Sequence, residues 1–138
     1  MPNLFTRLEE LSIQLNESSD ALSESIKRLE ARLASLRLGV SVWLEEPIET
    51  YMYQDDCFKV FFGYAKVNGT WCLALHDDSN DVIGDPEDDA RLQPLQQASR
   101  ENRIRALRHI PELIKALEVA AEAELKTVQS VMAISNTV

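Results

Sequence analysis

The sequence predicts an α+β domain in which an antiparallel three-stranded sheet packs against long N- and C-terminal helices, as a helical pair or a dimeric bundle. Three observations lead there. Apolar residues recur at helical spacing over the first 38 residues, β-branched and aromatic runs flank an Asn-Gly dipeptide between residues 40 and 76, and the helical spacing returns from about Leu95. A chain of 138 residues can bury a core of its own. Residues 1–138 are therefore read as one domain.

The first helix rests on Leu4, Leu8, Leu11, Leu15, Leu22, Ile26, Leu29, Leu33 and Leu36, with Ser18 at the one missing position. Pro2 suits a helix entrance and Gly39 a helix stop. At 1.5 Å per residue the stripe is roughly 50 Å long, whereas a compact domain of this size has a radius of gyration of about 14 Å. The stripe overhangs such a body and requires a partner helix, from its own chain or another.

The strands expected next are Val40–Glu46, Phe58–Val67 and Thr70–His76. Asn68-Gly69 reads as a two-residue hairpin turn, which pairs Lys66 with Trp71, Tyr64 with Leu73 and Phe62 with Leu75. One face then carries Val60, Phe62, Tyr64, Trp71, Leu73 and Leu75. The other, with Phe61, Gly63, Ala65, Cys72, Ala74 and His76, is nearly bare, so a helix, another sheet or a ligand approaches it closely. Residues 77–91 hold seven acids within fourteen consecutive positions and read as an acidic loop. Residues 95–135 read as a kinked helical pair, with a break near His109 and Ile110 because Pro111 removes a backbone bond and clashes with the preceding turn. Beyond it Ile114, Leu117, Ala121, Leu125, Val128 and Met132 form a second stripe, the natural partner of the first.

Composition narrows the function classes. With no apolar run of about 18 residues and no leader-like start, the chain reads as soluble and cytoplasmic. Its net charge of −9 and isoelectric point near 4.7 oppose attraction to nucleic acid or anionic membrane, so neither is expected as a direct partner. Cys57 and Cys72 are too few for a disulfide framework, and no ligand set stands at metal-binding spacing, so neither metal nor cofactor is expected. The acid run lacks the glycine and closing glutamate of a calcium loop. There is no nucleophile elbow and no glycine-rich phosphate loop, which points away from an enzyme.

The unusual feature is the segregation of charge. Between Arg91 and His109 stand five arginines and one acid. At 100° per residue, Arg105 and Arg108 fall on a solvated flank, whereas Arg100 and Arg103 fall among Ile104, Leu107 and Ile110 on the inward face. A guanidinium held there keeps its charge and must be paired. Its partner is an internal carboxylate from Glu45, Glu46, Glu49, Asp55 or Asp56, or a bound anion.

The functional expectation is a small non-enzymatic oligomeric binding protein. It would sequester an anionic small ligand such as a nucleotide at Arg100, Arg103, Tyr64, Trp71, Lys66 and His76, with Trp43, Tyr51 and Tyr53 as further aromatic candidates for the same pocket. The alternative is an acidic interaction or inhibitor module, a nucleic-acid mimic that docks on a basic protein. An unrecognised enzyme ranks third. Self-association is expected through Leu4, Leu8, Leu11 and Leu15, because an exposed leucine stripe of that length is an interface.

Overall fold

A computed structural model of the chain describes residues 4–79 and 92–137. In chain order the elements are α1 (Thr6–Leu36), β1 (Val42–Trp43), β2 (Glu49–Tyr53), β3 (Asp56–Val67), β4 (Thr70–Ser79), β5 (Leu92–Pro94), a 3-10 turn (Leu95–Gln97), α2 (Arg100–Arg108) and α3 (Ile110–Asn136). The α+β class is as expected, but the antiparallel sheet has five strands rather than three.

The expected hairpin register holds: Lys66 pairs with Trp71, Tyr64 with Leu73 and Phe62 with Leu75. Asn68 and Gly69 take positive φ of 51° and 81°, the left-handed pair such a turn requires. The first expected strand is corrected. Only Val42 and Trp43 pair regularly; the chain then bows away at Glu45, Glu46 and Pro47, held at either side by Leu44 N–H to Phe62 O and Ile48 N–H to Val60 O. It returns to β3 as β2, through a second two-residue turn at Gln54 and Asp55, whose φ values are 49° and 69°. β4 runs on through Asp77, Asp78 and Ser79, so the start of the expected acidic loop is strand; its remainder, residues 80–91, lies outside the described residues.

All three helices cover one face of the sheet. Val60, Phe62, Tyr64, Leu73 and Leu75 form a single core with Ile26 and Leu33 of α1, Ala106 of α2, and Leu113 and Leu117 of α3. Among the described residues, what approaches the bare face is an indole. Trp43 of β1 lies opposite Gly63, and a Cβ at that glycine would clash first with the Val42 carbonyl oxygen and then stand 2.5 Å from the Trp43 ring. Beneath Trp43 sit Cys72 and Ala74, both buried, with Val67 and Leu92 in the same cluster.

α1 stops two residues before the expected glycine, at Arg37, which adopts the left-handed conformation (φ 51°) and donates its N–H to Ala34 O. The break at Pro111 is where the sequence predicts it: His109 separates α2 from α3, and the proline occupies the first turn of α3, where its missing N–H is harmless. α2 opens on Ser99, whose hydroxyl accepts from Asn102 N–H at 3.2 Å.

α1 and α3 do not pair along their length as expected; they lie on different strands. α1 spans β4, with Glu30 at Leu73 and with Ala34 and Arg37 beside Tyr64 and Trp71, so it runs toward the β3–β4 turn. α3 runs the same way. His109 and Glu112 flank Leu44–Glu46, while Ile114, Leu117 and Ala121 face Leu33, Leu36 and Leu38 across an apolar gap of about 230 Å³. The uncovered part of α1 is its N-terminal half, with Leu8, Leu11 and Leu15 58 %, 42 % and 49 % exposed. The uncovered part of α3 is its C-terminal half, with Leu125, Val128 and Met132 55 %, 50 % and 52 % exposed. The two free halves therefore leave the body from opposite ends of the sheet.

Candidate functional site

The arginine helix is the natural starting point. Its buried line is centred on Ala106, which is fully buried, while Ile104 is exposed. The inward face is thus turned by about a quarter of a circle from the expected one. The small residue that faces inward is part of the common core. Three consequences follow for the arginines.

Arg100 is exposed. Arg103 is half-buried as expected, and its guanidinium reaches across to α1, donating Nη1 to Ser23 Oγ and Nη2 to Ser19 Oγ at 3.2 Å. Its Nε is buried without an acceptor, and no carboxylate pairs with it among the described residues. Arg105, read as solvated, instead pairs with a carboxylate: Nη1 stands 3.5 Å from Glu49 Oε1 and 2.9 Å from Asn102 Oδ1. Glu49 also accepts from Asn102 Nδ2 at 2.9 Å. One of the five candidate carboxylates does meet an arginine of this helix, but it meets Arg105.

The other expected site residues are divided between regions. Tyr64 is buried and stacks on Trp71, ring centroids 5.5 Å apart; both line a cavity of about 210 Å³ whose cation is Arg37. Lys66 shares their face but is exposed. His76 projects to the opposite face, buried beside Trp43 and Phe61 with ring centroids at 5.7 and 6.3 Å. Alternation along β3 and β4 makes this separation unavoidable: residues of opposite parity on one strand cannot line one pocket. Of the further aromatic candidates, Tyr51 and Tyr53 lie on the exposed strand β2.

A cavity that sequence reasoning missed lies between β2, β4 and the start of α2, about 340 Å³ in volume. Val60 and Leu75 form its floor; Glu49, Tyr51, Asp77, Gln93, Ser99 and Asn102 form its walls. Tyr51 donates its hydroxyl to Asp77 Oδ2 at 3.0 Å and stacks on Phe58. Partial burial, that hydrogen bond and the charges of Asp77 and Glu49 all push the Tyr51 phenol up from its ordinary value, which keeps it a donor. The walls are rich in acceptors and anionic, the opposite of the expected anion pocket. The missing signal was β2 itself, since without that strand Glu49 and Tyr51 cannot be placed beside Asp77.

One half-buried carboxylate ties the helical layer to the sheet. Glu30 of α1 accepts the Leu73 N–H at 3.0 Å. β5 pairs with β4 no further than Pro94 opposite Ala74, so this N–H lies beyond the last sheet partner on that side. Burial raises the Glu30 carboxyl above its ordinary value, and hydrogen bonds from Leu73 and the Gln96 amide pull the other way. Burial, with the Glu30 charge nearby, pushes the Cys72 thiol up to about 11, so it stays protonated and unreactive at neutral pH. Both cysteines are free thiols. Among the described residues no group of three or more His, Cys, Asp or Glu is placed to hold a metal, and no helix is long and apolar enough to cross a membrane.

Comparison with family models, characterised proteins and solved structures yields no match.

Proposed function

We propose that this chain is a small oligomeric binding protein whose working surfaces are the two projecting helix halves, and that its role is to dock helices rather than to transform a substrate. The observation that supports this most directly is the continuity of each stripe. Ile26, Leu29 and Leu33 bring α1 onto the body, and Leu8, Leu11 and Leu15 continue the same line of the same helix about half exposed, outside the core formed by the described residues. Stripes of large apolar side chains left uncovered over four turns are interaction surfaces. Light scattering at micromolar concentration is the test. A mass of two or more chains is expected, falling to one in Leu8→Glu/Leu15→Glu because unpaired carboxylates oppose burial; a wild-type mass of one chain overturns the reading.

Arg103 favours a second reading, the binding of an anionic small molecule beside Arg100. A guanidinium satisfied only by two neutral hydroxyls retains an unneutralised charge that phosphate or carboxylate would match. Thermal shift with a panel of nucleotides and organic phosphates tests it: a ligand at a hundred times its Kd adds about 2.7 kcal/mol. No shift in the wild type, or an equal shift in Arg103→Ala, rules this site out.

A further inference from the structure

We propose that the cavity between the C-terminal end of α1 and the Tyr64–Trp71 ring pair binds a small aromatic carboxylate, its acid group on Arg37 and its ring beside Trp71. The site is separate from the projecting helix halves and from Arg103, so it stands or falls independently of the two readings above.

Size comes first. The cavity is lined by Ala34, Arg37, Leu38, Gly39, Tyr64 and Trp71 and holds about 210 Å³. Pockets for drug-sized ligands run from about 300 Å³ upward, so a nucleotide is too large and a molecule of one ring is the right scale. Tyr64 and Trp71 stack with centroids 5.5 Å apart and planes 24° apart. Tyr64 is buried, whereas Trp71 is only half-buried, which leaves aromatic surface for another ring to cover. Tyr64, Trp71 and Lys66, three of the expected ligand residues, thus meet a cation outside the expected set, because only the fold brings the end of α1 over the β3–β4 hairpin.

The polar groups distinguish this cavity from a packing gap. Tyr64 is 2 % exposed, yet its hydroxyl has no hydrogen-bond partner among the described residues. A buried phenol ordinarily has one. Burial first, then the charges of Cys72 and Glu30, push this phenol up from its ordinary value, so the hydroxyl keeps its proton and offers a donor. Arg37 has no carboxylate within ion-pair distance among the described residues; its backbone N–H goes to Ala34 O at 3.2 Å. Magnitudes then decide the sign of the ligand. The carbonyl end of α1 carries about half a negative charge, against a whole positive charge on Arg37 and another on Lys66, which pairs with Trp71 across the hairpin. Glu30, one helical turn before Ala34, has its carboxylate engaged by the Leu73 N–H at 3.0 Å. An acid group therefore belongs at the Arg37 end, where the planar fork of the guanidinium matches it in two hydrogen bonds, and the uncharged end of the ligand belongs toward Tyr64.

The experiment follows the two indole N–H signals of the full-length chain by proton–nitrogen correlation NMR while benzoate is added, with Trp71→Phe used to assign them. A saturable displacement of the Trp71 signal is expected, with the Trp43 signal on the other face of the sheet unmoved. Benzylammonium, benzamide and inorganic phosphate should each bind at least about tenfold more weakly than benzoate, since each lacks either the charge or the ring. Arg37→Gln, at an exposed position, should weaken benzoate about tenfold and Tyr64→Phe about fivefold, the losses of a charge-assisted and a neutral hydrogen bond. Arg103→Ala should leave it unchanged. Failure of benzoate to displace the Trp71 signal saturably overturns the site, as does unchanged affinity in Arg37→Gln. Benzylammonium binding as well as benzoate overturns the charge assignment, and phosphate binding as well as benzoate overturns recognition of the ring.

Discussion

The two halves of α1 share one sequence pattern and differ in everything that pattern is meant to secure. From Ile26 to Leu33 the stripe enters the core, Ile26 being fully buried, and the helix is tied by Glu30 to the Leu73 N–H and by Ser19 and Ser23 to Arg103. From Leu4 to Leu15 the same spacing faces open space. Periodicity states which side of a helix is apolar; it does not state where the body that covers it ends. The inner half belongs to folding, and the outer half is the surface on which the proposed association rests.

The largest effect should separate those halves. Leu33→Ala removes a buried side chain from the core and should cost about 3 kcal/mol in urea unfolding, whereas Leu8→Ala at protein concentrations too low for association should change stability by less than about 0.5 kcal/mol. Equal losses at the two positions would break the distinction. Next comes the sheet's other face. Gly63→Ala drives a methyl first into the Val42 carbonyl oxygen and then into the Trp43 ring and should cost about 2 kcal/mol by overpacking; because the Val42 backbone stays in place, Trp43→Ala introduced alongside it should not restore the loss.

A smaller effect follows from Glu30. Its folded-state carboxyl is raised above the unfolded value, so the folded chain holds the proton more tightly, and stability falls as pH rises from the ordinary glutamate range through the raised value. Glu30→Gln keeps an acceptor for Leu73 and abolishes that titration. Relative to this variant the wild type should therefore lose stability between acid and neutral pH, and parallel denaturation curves at the two pH values would refute the assignment. The smallest effect is on reactivity alone. At neutral pH a maleimide should label the half-buried Cys57 and spare Cys72 until the chain unfolds; two thiols labelled in the native chain would place Cys72 at the surface.

Much of the frame was legible in the sequence. The α1 stripe, the Asn68-Gly69 register and the break at Pro111 each depend on chemistry that is local along the chain. The strands that escaped notice lacked such signals. β2 is largely exposed and closes through Gln54 and Asp55, which reach positive φ without a glycine to announce it. β5 has three residues and ends on a proline. The error at the arginines descends from that omission. With β2 absent, nothing places Glu49 on the Arg105 side of α2, and the helix is rotated to bury Ile104 where Ala106 belongs. The pairing of Arg103 with Ser19 and Ser23 links residues eighty or more positions apart, between two helices whose contact only the assembled sheet dictates.

The chain's two tryptophans stand on opposite faces of the one sheet, Trp71 stacked on Tyr64 beside the helical layer and Trp43 closed over Gly63 beside His76. Each face thus carries its own intrinsic fluorophore. With Trp43→Phe and Trp71→Phe as single-indole versions, the release of the helices and the opening of the Trp43 face become separate optical events, so the order in which the two sides of the sheet come apart can be timed without adding a label.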